Sequence, residues 1–293
     1  MNNRIVIFGA SGYLGTALVD RLISMGKKNI VAVARNESQL VILKEKYSCI
    51  KIIVGDIADR WIVKKAMKDA DECYLLSALK HVGLAEIEVK SCINTNIIGA
   101  MNVIDESLIT KPDLLMFVST DKASQPMGVY GCSKKIGEKL IEEAERINLY
   151  TKYFSVRYGN VWNSAGSIAT KWKPKMMKGE EVILTDPEAS RFFFTVEEAV
   201  DLIFECIEKS DNCKPFVANM KAVRMQIVLE ACIETWGLSP VKTIGLQPGE
   251  NRVETMDGVT FSDQVEQFTK TEFINKFLYN DYLDKWTAGA ENC

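Results

Sequence analysis

Histidine is almost absent from this sequence, and its cysteines are never paired. His81 is the only histidine of the 293 residues, which argues against a histidine-rich metal centre and against a hydrolase triad built on histidine. We therefore expect no metal site. The eight cysteines are spread singly, without a C-x-x-C pair. In a chain of this size they indicate reduced cytosolic thiols rather than a disulfide framework.

Long hydrophobic runs and a strong excess of charge are also missing. No apolar run approaches the length of a membrane span, and the N-terminus leads into a predicted strand without a basic segment, signal core and cleavage site. The net charge of −3 gives no reason to expect nucleic acid or an anionic membrane as a partner. With 47% hydrophobic and 26% charged residues, the composition predicts an ordinary globular, cytoplasmic protein.

A glycine-rich turn stands near the start of the chain. The apolar run RIVIF predicts the first strand, and a helical pattern with Leu14, Leu18 and Leu22 on one side follows. Between them, G-x-x-G-x-x-G lets the backbone turn tightly and approach a pyrophosphate at the helix N-terminus. A bare glycine motif also fits a simple tight turn, but its place after a strand favours dinucleotide binding. The predicted cofactor contacts here are Gly9, Ser11, Gly12, Tyr13, Leu14 and Gly15.

The next two predicted strands, IVAVA and KIIV, end in charged residues that bear on the choice of cofactor. Arg35, after the second strand, could pair with a 2′-phosphate, which favours NADP. Arg35 equally fits a solvated loop, and Glu37 leaves NAD open. After the third strand, Asp56 could accept a hydrogen bond from an adenine amino group or cap the following helix. Asp56 and Ile57 are counted as cofactor contacts.

The fourth predicted strand, ECYLL, is followed by small residues. Ala78 would let the nicotinamide-side ribose and phosphates approach the strand end, and Lys80 and His81 then face the cleft or solvent. Helical periodicity covers roughly residues 89–108, where Asn96 can hold a water or a neighbouring backbone group, or be exposed. We count Ala78, Lys80 and Asn96 as cofactor contacts, and Lys80 and His81 as substrate contacts.

The stretch VSTDKASQPMGVYGCSKKIGE carries the main chemical signal. Tyr130 and Lys134 lie four apart on one face of a predicted helix. A nearby ammonium favours the phenolate, so the phenol can act as an acid or base well below its free pKa of about 10. Alone, this pair equally fits a surface Tyr and Lys. The triplet Thr120-Asp121-Lys122, at the end of a predicted buried strand, makes a catalytic site the better interpretation.

Alternating strands and helices with short turns predict an α/β fold, a Rossmann-type doubly wound parallel sheet with a smaller C-terminal substrate lobe. A chain of 293 residues is long enough for a main domain and such a lobe. We assign residues 1–160, plus about 195–215, to the dinucleotide-binding domain. Residues 161–194 and 216–280 form the predicted substrate lobe, and residues 281–293 a flexible tail.

The second half of the sequence is less regular. Residues 195–208 predict a helix, with Thr195 as its cap and Glu198 at the capping-box spacing. Residues 216–218 predict a strand, and residues 224–236 predict a helix. The stretch DPEASRFFF is interpreted as a polar turn followed by aromatic residues.

Taken together, these motifs resemble the extended short-chain dehydrogenase/reductase superfamily and, within it, the inverting, soluble nucleotide-sugar 4,6-dehydratases that act on UDP-N-acetylglucosamine. The resemblance runs from Ile5 to about Met256 and rests on ALKHVGLAE, NTNIIGAMNVI, VSTDKASQPMGVYGCSK, VRYGNVWNSAGS, DPEASRFFFTVEEAV and QPGENRVETM. Thr-Asp-Lys with a downstream Tyr-x-x-x-Lys is its most specific part, because ordinary epimerases and reductases of the superfamily usually lack the Asp-Lys pair. The resemblance implies a polysaccharide biosynthesis enzyme that uses NADP, or NAD.

The same resemblance implies a catalytic cycle. Tyr130 would take the proton from the sugar O4 as hydride leaves C4. Lys134 would hold Tyr130 in its reactive state and contact the nicotinamide ribose, so both residues are also counted as cofactor contacts. Lys122 would remove the C5 proton, with its pKa lowered toward neutrality by burial and a cationic neighbour. Asp121, kept protonated, would give a proton to the departing O6, hydride would return to C6, and Thr120 would hydrogen-bond O4. The alternative for Asp121 and Lys122 is a surface ion pair.

Further residues are implied as substrate contacts. Arg191 would hold the diphosphate, which suits a planar guanidinium, and Asn160 would hold the sugar or phosphate. Glu250 would contact the uridine ribose, and Ser167 is counted with them. Each of these residues also fits a plain loop hydrogen bond.

Five positions on the substrate side depart from the family's usual residues. They are Gly83 for Pro, Gln125 for Asn, Gly128 for Asn, Ala165 for Arg and Val253 for His. The catalytic positions are intact, so the departures bear on the exact sugar more than on the chemistry. An outcome in which hydride returns to C4 and leaves a 5,6-alkene is conceivable.

The residue at position 130 bears on stereochemistry. Retaining, membrane-anchored members often have Met there, so Tyr130 implies inversion at C5 and UDP-2-acetamido-2,6-dideoxy-β-L-arabino-hex-4-ulose as product. One alternative is a nucleotide-sugar 4-epimerase or 4-reductase, which needs Tyr130 and Lys134 but not Asp121 and Lys122. A non-catalytic dinucleotide-binding protein ranks last, because it would lack the acid–base set.

Helices near residues 94–108 and 129–146 commonly pair between subunits in this superfamily. The resemblance therefore implies a homo-oligomer, a dimer or higher, whose small-molecule partner is a UDP-sugar.

Overall fold

Six parallel strands form the central sheet of the molecule. The structure is a computed structural model, and it describes residues 3–279. The strands are β1 (Ile5–Phe8), β2 (Ile30–Ala34), β3 (Lys51–Val54), β4 (Glu72–Leu75), β5 (Leu114–Thr120) and β6 (Lys152–Tyr158). Their spatial order is β3-β2-β1-β4-β5-β6, with every neighbouring pair parallel. The predicted doubly wound sheet is confirmed.

Helices cover both faces of this sheet. The α-helices are α1 (Tyr13–Ser24), α2 (Glu37–Lys46), α3 (Arg60–Met67), α4 (Val82–Ile87), α5 (Val89–Ile93), α6 (Ala100–Thr110), α7 (Val129–Ile147), α8 (Ile168–Met176), α9 (Val196–Lys209), α10 (Met225–Trp236) and α11 (Lys270–Phe273). Successive strand residues point to opposite faces, so Ile5 and Ile7 pack with α1, α2 and α9. Val6 and Phe8 pack with α3, α6 and α7.

The strand order places a crevice at one edge of the sheet. The connections leave β1 and β4 in opposite directions, and ligands bind doubly wound sheets outside the strand ends at such a switch point. All six strands are parallel, so the residues after each strand meet along this edge. The glycine-rich turn follows β1, residues 76–81 follow β4, and Asp121 and Lys122 follow β5.

A second core lies beyond the main sheet. Strands β7 (Asn160–Val161), β9 (Ser190–Phe194) and β10 (Ala222–Arg224) form a three-stranded sheet, and β8 (Val182–Leu184) pairs with β11 (Val241–Thr243). Trp162, Phe193, Phe273 and Phe277 pack together here, with ring centroids 4.8–6.2 Å apart. The boundaries between the two lobes stay a prediction, and the tail at residues 281–293 lies outside the described residues.

Two local predictions were wrong, for residues 216–218 and for Ser190–Phe194, and one helix is irregular. Residues 216–218 form no strand, because Phe216 makes an isolated bridge to Val156 at the edge of the sheet and the pairing does not continue beyond it. Residues 89–108 are helical as predicted, with a π-helical segment at Asn94–Gly99 between α5 and α6. Ser190–Phe194, interpreted as a turn and aromatics, is the central strand of the second sheet.

The capped helix after residue 195 has the predicted structure. Thr195 and Glu198 form a reciprocal capping box at the start of α9. Within residues 3–279, none of the helices combines the length and apolar character needed to cross a bilayer.

Candidate active site

The glycine-rich turn is shaped to receive a pyrophosphate. Gly9 has φ +88°, a conformation that favours glycine, and a Cβ on it would lie 2.8 Å from the Ser77 nitrogen. A Cβ on Gly15 would collide with the Gly9 carbonyl oxygen. Gly12 caps α1 and donates its N–H to that carbonyl at 3.0 Å. The open helix N-terminus beside backbone without side chains fits the phosphates of a dinucleotide.

The predicted 2′-phosphate and adenine contacts lie side by side. Arg35 Nη1 is 3.5 Å from Asp56 Oδ2, and the Arg35 side chain is 63% exposed. Asp56 Oδ1 accepts from the Ala58 N–H at 2.9 Å, so this carboxylate also organises the turn after β3. Ile57 lies on the wall of the same cleft. Arg35 is free to swing toward a ligand because the exposed pair is weak.

Asn96 contacts the backbone of the loop that follows β4 and is not on the wall of the cleft. Its Oδ1 accepts from the Leu79 N–H at 2.8 Å, and its Nδ2 donates to the Leu79 carbonyl at 3.0 Å. The same amide donates to Ser133 Oγ at 2.9 Å, which ties the loop to α7. Asn96 is buried and does not line the cleft, whereas Ala78, Lys80 and His81 do. Its proposed role toward a cofactor is thus indirect.

The end of β5 carries a buried cluster of polar side chains. Thr120 Oγ1 donates to Asp121 Oδ1 at 2.8 Å. Lys122 Nζ lies 3.1 Å from Asp121 Oδ1 and 3.0 Å from Oδ2. Asp121 is 4% exposed, so this is not the surface ion pair that the sequence left open. Thr120 and Lys122 line the cleft, while Asp121 sits behind them.

Helix α7 brings the Tyr-Lys pair to the same wall. Glu86 Oε1 accepts from the Val129 N–H at 2.7 Å and thereby holds the first turn of the helix. Gly128 leaves room for this carboxylate, because a Cβ there would collide with Glu86 Oε1. Tyr130 and Lys134 are both buried and both line the cleft.

Glu254 completes the cluster, and it was not among the predicted site residues. Its Oε1 is 3.2 Å from Lys122 Nζ and 3.3 Å from Arg191 Nε. Asn160 Nδ2 donates to Glu254 Oε2 at 3.1 Å, and the Phe192 N–H donates to the same oxygen at 3.2 Å. Glu254 follows Val253, one of the five positions at which the sequence departs from the family's usual residues. That departure was the one sequence signal that could have drawn attention to Glu254.

The charges of this cluster alter the pKa values of its members. Burial, together with the Glu254 carboxylate, raises the pKa of Asp121 to about 6, although Lys122 opposes the shift. Burial alone would lower the pKa of Lys122, but the carboxylates of Asp121 and Glu254 outweigh it and raise that pKa well above its usual value. The prediction of a lowered Lys122 pKa is therefore wrong for the unliganded protein. The raised Asp121 pKa has the direction expected of a proton donor.

Tyr130 and Lys134 are shifted mainly by burial. Burial raises the pKa of Tyr130 to about 12, while the Lys122 ammonium and a hydrogen bond with Thr120 oppose the shift. The lowered Tyr130 pKa expected from the sequence is thus not found without ligands. Burial lowers the pKa of Lys134 to about 8, and its ammonium lies 4.2 Å from the centre of the Phe117 ring.

The predicted substrate contacts meet across the cleft. Asn160 and Arg191 are held by Glu254, and Arg191 Nη1 also donates to the Ser190 carbonyl at 3.0 Å. Ser167 caps α8 through its hydroxyl, and Glu250 Oε2 accepts from the Gln247 N–H at 3.1 Å. All of them line the cleft. The Arg191 guanidinium already contacts Glu254 and the Ser190 carbonyl, so it is not free to bind a diphosphate with all of its N–H groups.

The cleft that these residues surround has a volume of about 1190 Å³, ample for a dinucleotide beside a second nucleotide. Its walls include every predicted site residue except Asp121 and Asn96. Among residues 3–279, no group of three or more His, Cys, Asp or Glu side chains is placed to hold a metal ion.

Comparisons with known proteins place this chain among sugar-nucleotide enzymes. The family model described as "Polysaccharide biosynthesis protein" matches residues 5–276. The inverting UDP-N-acetylglucosamine 4,6-dehydratase of Campylobacter jejuni (serotype O:2) is 31% identical, over 86% of this chain and 76% of that protein. The uncharacterized membrane protein MJ1061 of Methanocaldococcus jannaschii is 33% identical, over 86% of this chain and 79% of that protein.

Two further matches are a relative named as an epimerase and a solved structure. The UDP-glucose 4-epimerase of Rickettsia bellii is 28% identical, over 87% of this chain and 78% of that protein. The solved structure of Pen from Bacillus thuringiensis superposes with a TM-score of 0.88 at 26% identity, covering 94% of this chain and 97% of that chain.

Fold and site together define an extended short-chain dehydrogenase/reductase of the nucleotide-sugar dehydratase and epimerase class. Within that class, the chain belongs to the polysaccharide biosynthesis protein family.

Proposed function

We propose that this protein is a UDP-N-acetylglucosamine 4,6-dehydratase that inverts C5. The observation that carries the proposal is the buried pair at the end of β5, where Lys122 Nζ lies 3.0 Å from Asp121 Oδ2 on the wall shared with Tyr130. Loss of water needs a base that removes the C5 proton and an acid that protonates the leaving O6, in addition to a group that takes the O4 proton. An epimerase or reductase needs only the last of these.

Tyr130 serves O4 in the proposed reaction. The phenolate takes the O4 proton as the C4–O4 bond becomes a carbonyl, and Thr120 and the Lys122 ammonium stabilise that phenolate. NADP or NAD held by the glycine-rich turn would accept hydride from C4 and return it to C6. Lys134 adds a second cation on the same wall. The new 4-ketone makes the C5 proton acidic.

Lys122 and Asp121 then perform the elimination. One proton passes from Lys122 Nζ to Asp121 along their 3.0 Å hydrogen bond, which converts an ion pair into a neutral amine and a carboxylic acid. A bound sugar excludes solvent from the site, and a site without solvent favours the neutral amine and carboxylic acid over the ion pair. The amine takes the C5 proton, the C5–H electrons form the C5=C6 bond, and O6 leaves as water with the proton from Asp121. Lys122 ends protonated and Asp121 ionised, as in the resting ion pair. As hydride would return to C6, C5 takes a solvent proton on the face opposite to the one that Lys122 deprotonated. Tyr130 releases to solvent the proton that it took from O4, so the net change is loss of one water.

NADP is the proposed cofactor, with Arg35 as the residue that prefers it over NAD. We expect Arg35→Ala to weaken NADP binding by about 10- to 100-fold, because a charged hydrogen bond to a 2′-phosphate contributes roughly 1.5–3 kcal/mol. NAD binding should change little, and fluorescence titration of both cofactors measures the two constants. Equal losses for the two cofactors, or stronger NAD than NADP binding by the unaltered protein, would contradict the assignment.

The substrate side of the cleft suits a sugar nucleoside diphosphate. We propose that Asn160 and Ser167 contact the sugar or phosphate, Arg191 the diphosphate and Glu250 the uridine ribose. They line one continuous cleft with the catalytic cluster. The names of the Campylobacter and Rickettsia relatives support a UDP-sugar as substrate.

The function is tested with UDP-N-acetylglucosamine in deuterium oxide. We expect loss of water, a 4-keto-6-deoxy product with solvent deuterium at C5, and a C5 proton coupling that identifies inversion; mass and proton NMR spectra record all three. A product that keeps its 4-hydroxyl and gains a 5,6-alkene would identify the 5,6-dehydratase. Conversion to a 4-epimer without loss of water would establish the epimerase, and an inert UDP-N-acetylglucosamine would refute the proposal.

We also propose a homo-oligomer joined through the helices around α5 and α7. Ile87, Ile93, Ile98 and Ile136 on these helices are 41–79% exposed, and a second copy would cover them. Sedimentation equilibrium measures the mass, and a monomer at micromolar concentration would contradict this proposal. The cytoplasmic location stays a prediction.

A further inference from the structure

Glu254 is held rigidly although it lies on a segment with little regular structure. Its N–H donates to Ser262 Oγ at 3.0 Å, and the Ser262 N–H donates back to the Glu254 carbonyl at 2.8 Å. The adjoining pair Thr255 and Phe261 forms an antiparallel bridge. The carboxylate is therefore fixed in the site from the far side of the cleft, 132 residues along the chain from Lys122.

Two buried carboxylates share the Lys122 ammonium, but their other partners differ. In the part of the chain that the structure describes, Glu254 also accepts from Asn160 Nδ2 and the Phe192 N–H, and it pairs with Arg191. Among residues 3–279, the Asp121 carboxylate has only the Thr120 hydroxyl as a hydrogen-bonding partner besides Lys122. A carboxylate with more donors is stabilised as the anion, so a proton shared by this cluster resides on Asp121.

We propose that Glu254 is a positioning residue, a permanent anion that makes Asp121 the group that accepts the proton of Lys122. The inference rests on the proposed function, because it assigns a partner to the same acid–base pair. Glu254 touches neither reacting carbon nor leaving oxygen in this scheme and itself never changes protonation. Its charge disfavours a second carboxylate anion beside it, so Asp121 takes the proton when Lys122 gives it up.

The pH dependence of turnover tests this role. Below the pKa of Asp121, both Asp121 and Lys122 are protonated and the base is lost, so kcat/KM falls at acid pH. The acid limb is the part of the pH profile in which kcat/KM falls as the pH is lowered. Glu254→Gln removes the neighbouring anion and lowers the Asp121 pKa, so the midpoint of this limb should move to a pH lower by about one unit. Glu254→Asp keeps the charge and should leave the limb in place.

A matched control separates this effect from a general change of charge. Glu266→Gln makes the same carboxylate-to-amide change at a side chain that is 73% exposed and pairs with Lys221 on the surface, and it should leave the profile unchanged. An acid limb that stays in place in Glu254→Gln, or moves equally in Glu254→Asp, would overturn the proposal.

A second readout does not depend on turnover. The carboxyl carbon of Asp121, labelled with ¹³C and assigned with Asp121→Asn, reports its own titration by NMR in the free protein. We expect its midpoint to fall by about one pH unit in Glu254→Gln; an unchanged midpoint refutes the role of Glu254 even if the function holds. If UDP-N-acetylglucosamine is not converted but the Asp121 midpoint falls in Glu254→Gln, the proposed function is refuted and the role of Glu254 toward Asp121 is retained. Should Glu254→Gln fail to fold, the double variant with Arg191→Met removes both partners of the ion pair; a smaller fall in the same direction is expected, because loss of the Arg191 cation opposes it.

Discussion

Lys122→Ala should abolish loss of water and should slow, without preventing, the first oxidation, because Tyr130 loses an ammonium that favours its phenolate. Removal of a general base costs about 10²- to 10⁴-fold in rate, and Lys122 is the amine nearest the Asp121 proton donor. Mixed with UDP-N-acetylglucosamine, the variant should accumulate reduced cofactor, because C4 is oxidised and the elimination stalls. Ultraviolet absorbance of the reduced nicotinamide and mass spectra of the sugar follow the two steps separately.

Two further variants serve as comparisons for Lys122→Ala. Tyr130→Phe should block the oxidation itself, so neither reduced cofactor nor water loss is expected. Lys139→Ala changes an exposed lysine that pairs with Glu142 and should behave as the unaltered protein. Full turnover by Lys122→Ala would show that another group removes the C5 proton.

Arg157→Met should destabilise the protein more than any substitution at the surface. Arg157 Nε and Nη2 lie 2.7 and 2.8 Å from the Glu138 carboxylate, and both side chains are buried. Removal of one partner of such a pair costs about 3–5 kcal/mol, because the other charge is left buried. Thermal unfolding followed by circular dichroism should show a melting temperature lower by roughly 10 °C.

A double substitution distinguishes the buried charge from lost packing. Glu138→Leu with Arg157→Met removes both charges and should be less destabilised than Arg157→Met alone. Arg157 also donates to the Met256 carbonyl, two residues from Glu254, so catalysis is expected to suffer in both variants. A melting temperature of Arg157→Met within a degree or two of the unaltered protein would contradict this account.

The sequence predicted the main sheet well because its signals are local. The apolar runs of β1 to β6 are short and continuous, as expected of parallel strands buried on both faces, and punctuating turns set their bounds. The glycine-rich turn lines the cleft, as do Thr120, Lys122, Tyr130 and Lys134, because each stands directly after a strand or in the first turns of a helix.

The second lobe was harder to predict because its strands depend on distant partners. Ser190–Phe194 is a strand only because it pairs with β7 and β10, and its sequence carries no alternating pattern. Phe216 bridges Val156 without extending into a ladder. The polar Asn96 was expected to hold a water or a neighbouring backbone group, and it binds the Leu79 backbone 17 residues away.

The sequence by itself determined the class of fold and the place of the glycine-rich turn. It also predicted the chemistry of the Asp121-Lys122 and Tyr130-Lys134 pairs, since their members are neighbours in the chain. Only the tertiary structure decided the charge state of that site. Glu254 reaches Lys122 through the packing of a distant segment, and together with the Asp121 carboxylate it reverses the expected direction of the Lys122 pKa. A pKa depends on the burial of a group and on every charge around it, and neither is written in the spacing of residues along a chain.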